Sequence, residues 1–464
     1  MVLRSLKILV GIVLAFALVT STYIAVSGKD LLRVATGSVS HALCAATFVS
    51  GLDPDQVYKQ EELPANGMRW IDWALHYEVD RTRQEVRTTL AGAFGARAVF
   101  REGLGCLLVH GIDEVPQASG IKNAAFEDSF TEPGTVEPTD PSLRQALSLA
   151  FAEPDPAQPR LTKALVVLHK GKLIAEHYAA GYGPDTPVWG HSLSKSMTSA
   201  LIGILVRQGK LQLNQPAPIA AWRASSDPHH VITVDQLLRM SSGLPFDETN
   251  GPLNPATRMW FLERDMAGYA AQTPLAHQPG SAWGYSNLGY MILSRLVRDA
   301  AGGGAMDAER FARRELFEPL GMRTATIDCD VTGTPLGAGQ TYASARDWAR
   351  FGQLYLDDGV AHGRRILPEG WVSSSASQTL DTGYGAGFWT NLVNEGSVPV
   401  WDAPWGMPQL PKDMFYARGA LGQFIVIVPS ERLVVARFGY THGGGTGIGN
   451  VIAKIIAALH GQRP

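Results

Sequence analysis

Cysteine is scarce in this 464-residue chain: Cys44, Cys106 and Cys329, none in a CxxC pair. That excludes a thiolate zinc site. The histidines form no HExxH or HxHxD string, and His229-His230 reads as a solvated pair in a polar loop, so no metal is expected. No cofactor motif is expected either. Charge is also sparse. Charged residues make up 18% of the chain, and 40 Lys plus Arg against 43 Asp plus Glu leave a net charge of −3. A basic nucleic-acid-binding chain would carry a strong positive excess. Disorder, coiled coil and collagen are excluded by the same composition. No G-x-S-x-G string occurs, which argues against an α/β-hydrolase elbow. Internal repeats and low-complexity segments are missing as well. What is plentiful is turn chemistry, with 49 Gly and 28 Pro. The length allows two to four domains and a sizeable core.

Long apolar runs are rare too, and the one present is informative. Residues 8–26 carry no charge, with Arg4 and Lys7 before them and Lys29 after. A helix of that length nearly matches the hydrocarbon thickness of a bilayer. Two readings stay open: a signal peptide cleaved near Ala25 and Ser27, or an uncleaved signal anchor. The run exceeds a usual signal core, which favours the anchor. Lys and Arg on the short side favour that end in the cytoplasm. Either way the rest of the chain is exported: anchored in the inner membrane facing the periplasm, or periplasmic or secreted after cleavage. In an oxidising compartment Cys44 and Cys106 can pair; the alternative is two buried thiols.

The chain divides into residues 1–27, an accessory region with linker at 28–140, and a main part at 141–464. The accessory region shows strand-like alternation at 85–90 and β-rich stretches at 98–100 and 106–109. A Pro- and acid-rich stretch from 111 to 141 reads as a linker. Beyond it the expected order is helix (141–152), hairpin (164–182), helix (192–208), a long helical middle, hairpin (422–438) and helix (450–460). Hairpins imply antiparallel neighbours, so the expected class is α+β, an antiparallel sheet flanked by helices.

Three strings carry chemistry. Ser192-Leu193-Ser194-Lys195 opens a helix, and positions i and i+3 share a face, so the amine reaches the hydroxyl. A serine hydroxyl needs such an adjacent base, and burial would free the amine of its proton. A second S-x-x-K, Ser119 to Lys122, sits in the linker with no helix after it and reads as chance. Tyr285-Ser286-Asn287 supplies a phenol, a base if a nearby ammonium depresses its pKa, and an amide able to hold lysine and a substrate carbonyl. Arg418-Gly419-Ala420-Leu421 opens the late hairpin with small residues that let a substrate backbone approach. His191 reads as a neighbour pointing away from the serine. His442 reads as loop, and Asp247 and Glu248 as surface.

Together these strings resemble the serine β-lactamase and penicillin-binding-protein superfamily, with its S-x-x-K, Y-x-N and K-T-G motifs. The tyrosine version resembles the class C branch. The wording at 232–244, 317–322 and 345–352 is similar to the 6-aminohexanoate-dimer hydrolase-like group. The resemblance spans about residues 141 to 464. It implies a β-lactamase-like fold with a helical subdomain and an acyl-enzyme on Ser192, with no cofactor. Lys195 and Tyr285 would share the base work, and Asn287 would orient Lys195 and the substrate. An oxyanion hole would form from the backbone N–H of Ser192 and one near Leu421. The expected substrate is a small ester or amide. The alternatives are a weakly catalytic module sensing cell-wall peptide, or a D-Ala-type peptidase. One departure stands out: Arg418-Gly419-Ala420 replaces Lys-Thr-Gly, which argues against strong β-lactamase or transpeptidase activity.

Overall fold

The computed structural model describes residues 28–65, 67–111, 115, 134–248, 251, 253–392, 407–443 and 445–461. The uncharged run at 8–26, its cleavage point and the linker string 119–122 lie outside these residues.

The first helix, α1 (Lys29–Cys44), continues through a wide turn to Val49. It packs on a four-stranded antiparallel meander of β1 (Leu75–Asp80), β2 (Glu85–Leu90), β3 (Ala93–Arg101) and β4 (Gly105–Val109). The predicted strand at 85–90 is β2. Among the described residues, Lys29–Val49 is the one helix long and apolar enough to cross a membrane. However, 67% of its apolar window is buried in the protein, as expected of a core helix. Cys44 and Cys106 form a disulfide that ties the end of α1 to β4. Cys329 is a free, buried thiol.

The main part starts at α2 (Pro141–Phe151). The carboxylate of Asp140 caps it by accepting from the Leu143 N–H at 2.9 Å. The predicted hairpin follows as β5 (Thr162–His169) and β6 (Lys172–Tyr178). Then come the short β7 (Pro187–Trp189), α3 (Leu193–Arg207) and α4 (Asn287–Ala301). Next are β8 (Thr326–Ile327), β9 (Thr341–Ser344), α5 (Ala345–Leu356) and β10 (Trp389–Thr390). The chain closes with β11 (Phe415–Gly419), β12 (Gln423–Val428), β13 (Leu433–Gly439) and α6 (Ile448–Gly461). The large sheet runs β10-β11-β12-β13-β5-β6, every neighbour antiparallel. All residues of β12 and β13 are buried, so helices cover both faces of the centre. Helix α5 packs on β12, β13 and β5, while α2 and α6 pack together. Gly352 of α5 lets the helix lie close: a Cβ there would stand 2.6 Å from Val434 Cγ1.

A small sheet, β7-β9-β8, joins the two regions. Trp189 and Tyr342 from it pack into the core built around α1 and β2 to β4. Buried polar contacts reinforce this junction. Asp328 accepts from the Cys106 N–H at 2.8 Å and lies 2.8 Å from His41 Nε2. The Arg101 guanidinium donates to the Cys329 carbonyl at 2.7 Å.

One expectation fails in the helical middle. His229 is buried rather than solvated: it stacks on Trp222 and bridges the Asp227 carboxylate and the Thr273 carbonyl. The apolar face of Trp222 outweighs the local polarity that pointed to solvent.

Candidate active site

Ser192 immediately precedes α3, at its cap position, and its hydroxyl caps no backbone N–H. That removes the usual structural reason for a serine at this place. Instead its Oγ accepts from Lys195 Nζ at 3.1 Å. The approach is set by a tight turn. Gly190 donates its N–H to Thr341 of β9, and the Leu193 N–H returns to the Gly190 carbonyl. A Cβ at Gly190 would lie 2.4 Å from the Trp348 ring, so α5 fixes where the turn can pass. His191 completes the turn in the left-handed region at φ 48°. Its ring stacks on Trp189 at 4.0 Å.

Lys195 is 1% exposed and fully partnered. Besides Ser192 it donates to Asn287 Oδ1 and to the Ala338 carbonyl, both at 2.6 Å. The segment carrying Ala338 is itself pinned to α3, since Thr198 donates to the Gly337 carbonyl at 2.8 Å. Burial lowers the Lys195 pKa to about 8, while Glu248 and Asp247 oppose the shift.

Tyr285 is buried beside this pair. Lys195 Nζ lies 4.8 Å from its ring centre, and its hydroxyl hydrogen-bonds with Ser192. The ring stacks on Trp389 at 5.9 Å, and Tyr384 meets Trp389 edge-on at 4.9 Å. The expected depression of this phenol is reversed: its pKa is raised well above 10 by burial, then by Glu248 and Tyr384.

Asn287, at the start of α4, is held from behind by two acids. Its Nδ2 donates to Asp247 Oδ1 at 3.1 Å and to Glu248 Oε1 at 2.7 Å. Asp247 Oδ2 accepts from the Leu288 N–H at 2.8 Å and from Ser286 Oγ at 3.3 Å. Asp247 and Glu248 were expected at the surface. The structure places Asp247 at 0% exposure and Glu248 half-buried, both in the site. Burial raises the Asp247 carboxyl to about 7. The missed signal was the pair of acids that follows the Gly243-Leu244 turn after two intervening residues; nothing local shows that this turn folds under α4.

The third string arrives on β11. Gly419 passes against the nucleophile turn: a Cβ there would stand 2.3 Å from the Gly190 carbonyl and 3.1 Å from Leu193 Cδ1. Ala420 to Gly422 then bend sharply, with Leu421 left-handed at φ 58°. Arg418 is half-buried, with its guanidinium 6.0 Å from the Phe424 ring centre. Among the described residues no cluster of His, Cys, Asp and Glu suits a metal ion.

The accessory region also reaches this place. Glu61 Oε1 lies 3.5 Å from His191 Nε2, and His442 bonds to the Gln60 carbonyl at 2.9 Å. Burial drives His191 down to about 3 and Glu61 well above 4.5.

Comparison with known proteins identifies the family. A family model described as Beta-lactamase matches residues 150–448. The chain is 29% identical over 282 residues to 6-aminohexanoate-dimer hydrolase of Paenarthrobacter ureafaciens, covering 56% of this chain and 70% of that one. It is 26% identical over 193 residues to D-alanyl-D-alanine-carboxypeptidase/endopeptidase AmpH of Escherichia coli (strain K12), covering 37% of this chain and 49% of that one. A solved penicillin-binding protein homologue from Caulobacter crescentus superposes with a TM-score of 0.52 at 18% identity, over 70% of this chain and 98% of that one, which speaks to fold alone. With its antiparallel sheet and its serine and lysine at the head of a buried helix, this chain belongs to the beta-lactamase family of serine hydrolases.

Proposed function

We propose that the chain cleaves a small ester or amide through an acyl-enzyme on Ser192. The observation that carries this is the 3.1 Å contact between a buried Lys195 amine and a Ser192 hydroxyl with no capping duty. The fraction of the amine that burial leaves without a proton, growing as pH rises towards about 8, takes the proton of Ser192 as Oγ attacks the carbonyl carbon. The oxyanion is met by the backbone N–H of Ser192 and by one from the bend near Leu421. Tyr285, held as a phenol, relays the proton to the leaving oxygen or nitrogen. Water then attacks the acyl-enzyme by the reverse route. Asn287, its two N–H groups held by Asp247 and Glu248, orients Lys195 through its Oδ1 rather than donating to the substrate carbonyl. Arg418, Gly419 and Ala420 form the strand-side wall, where Arg418 faces an acidic substrate end or shapes the pocket.

In this reading residues 141–464 carry catalysis, residues 28–140 brace it, and the run at 8–26 holds an exported enzyme at the membrane. The similarity to 6-aminohexanoate-dimer hydrolase supports a short amide as substrate. The similarity to AmpH supports a second reading, a D-alanyl peptidase.

Labelling with a fluorophosphonate and a fluorescent penicillin, followed by mass mapping, tests the nucleophile. An adduct on Ser192 that disappears in Ser192→Ala is expected, together with loss of ester hydrolysis. A folded protein with no adduct there would sink the proposal. Turnover of short esters, aminohexanoate dimers and D-alanyl peptides then separates the two substrate readings.

A further inference from the structure

The meander of the accessory region has two unlike ends. Pairing of Asp80 with Glu85 and of Glu85 with Val99 sets one end, whose turn reads Arg81-Thr82-Arg83-Gln84. Leu75 pairing with Leu90, and Leu90 with Ala93, sets the other. There the β2–β3 turn is Ala91-Gly92, and residues 88–96 carry no charge. The Ala91 N–H bonds to the Ala74 carbonyl, so the segment before β1 lies at this same end, with Arg69 and Asp72 as its charges. That segment carries Trp70 and Trp73, which are 85% and 86% exposed. They stand one helical turn apart, and the Trp73 indole N–H bonds to the Trp70 carbonyl at 3.1 Å.

Single exposed apolar residues need no explanation, but two fully exposed tryptophans on one short segment do. What could cover them follows from where α1 begins. Ser40 of α1 contacts Thr88 and the Ala96 carbonyl. Arg33 and Gly37, nearer its start, share a cavity wall with Gly95 and Ala96. Going back along α1 therefore moves towards the start of β3, the end of the meander at Ala91-Gly92. Lys29, the first residue of α1, comes three positions after the uncharged run 8–26. The membrane-length segment of the sequence thus joins the fold at the end that exposes the tryptophans.

We infer that this end of the accessory region, led by Trp70 and Trp73, docks on the bilayer surface. Indole rings favour the membrane–water boundary, where an apolar body and a polar N–H are both satisfied. The turn at Arg81 to Gln84, at the far end, stays in water. The inference rests on the proposed anchor but adds a second, separate contact. It orients the accessory region on the membrane, and through the Glu61–His191 and Gln60–His442 contacts it orients the site as well.

The test uses the full chain in phosphatidylethanolamine/phosphatidylglycerol vesicles containing a brominated lipid, with Trp70→Ala/Trp73→Ala as the variant. Wild type should show lipid-dependent quenching, and the variant should lose the share that two of the 11 tryptophans contribute. Its far-UV circular dichroism and ester turnover in detergent should match wild type. An alkaline wash separates the two ideas. Protein that stays on the vesicles with equal quenching in both forms overturns the docking surface and leaves the anchor standing. Protein that washes off but whose quenching depends on the two tryptophans supports the surface without the anchor. Protein that washes off unquenched overturns both. Self-association lost in the variant, with no quenching in either form, would assign the surface to a second copy and overturn the bilayer.

Discussion

At the residue scale, the proposed mechanism turns on a lysine held away from water. Nothing in the S-x-x-K string says whether the lysine is charged; the surroundings of Lys195 decide it. Below about pH 8 the amine holds a proton and cannot accept another, and above it the amine is free. Ester kcat/KM should therefore rise with pH through about 8. Asp247 and Glu248 favour the protonated amine, so Asp247→Asn should move that limb to lower pH. The same change alters the acceptor of a buried backbone N–H, at a cost of about 1–3 kcal/mol. A pH–rate profile with a chemical melt reads both effects. A limb that stays in place would show that another group titrates there. The sequence placed Ser192, Lys195, Tyr285 and Asn287 because spacing on a helix and next to a turn is local. It missed Asp247 and Glu248 because their burial depends on α4 coming to rest over the 243–248 turn. It misjudged the phenol because the sign of its shift depends on burial, which only packing sets.

At the element scale, the site is a meeting of three starts: the first turn of α3, the first turn of α4 and the bend after β11. The sequence showed each element because periodicity, turns and caps are short-range. The helix at 141, the hairpin at 164–182 and the strands at 422–438 formed within a few residues of expectation. Their closeness has a price in side-chain volume, visible at Gly419. A Cβ there would need to share space with the Gly190 carbonyl, which is backbone and cannot swing away. Gly419→Ala should push β11 off the nucleophile turn, costing about 1–3 kcal/mol as overpacking. kcat should fall more than KM changes, because the displaced bend carries the oxyanion N–H. Steady-state kinetics beside a denaturant melt measure this; an unchanged kcat would mean the bend is not used.

At the scale of the whole molecule, the accessory region is attached through buried contacts rather than tethered. Its core takes in Trp189 and Tyr342, on the strands beside the nucleophile turn. Glu61 reaches the residue next to Ser192. The Cys44–Cys106 disulfide closes a separation of 62 residues in this region. Removing it should cost about 2–4 kcal/mol, mainly by freeing the unfolded chain. Cys44→Ala/Cys106→Ala should therefore lower the thermal midpoint, and ester activity should be lost at the lower temperature along with the accessory region. Activity that outlasts the unfolding of residues 28–111 would show that the catalytic part stands alone.

The sequence by itself determined the class of the main part and the candidate serine, lysine, tyrosine and asparagine, and it left the pairing of Cys44 with Cys106 open against two buried thiols. What it determined rests on short spacings and on turn chemistry. Only the tertiary structure decided the protonation of Lys195 and Tyr285, the bracing of Asn287 by Asp247 and Glu248, the burial of His229, and the approach of Glu61 to His191. Each of these depends on groups far apart in the chain, brought together when apolar surface is buried, and on the loss of water at the place where they meet.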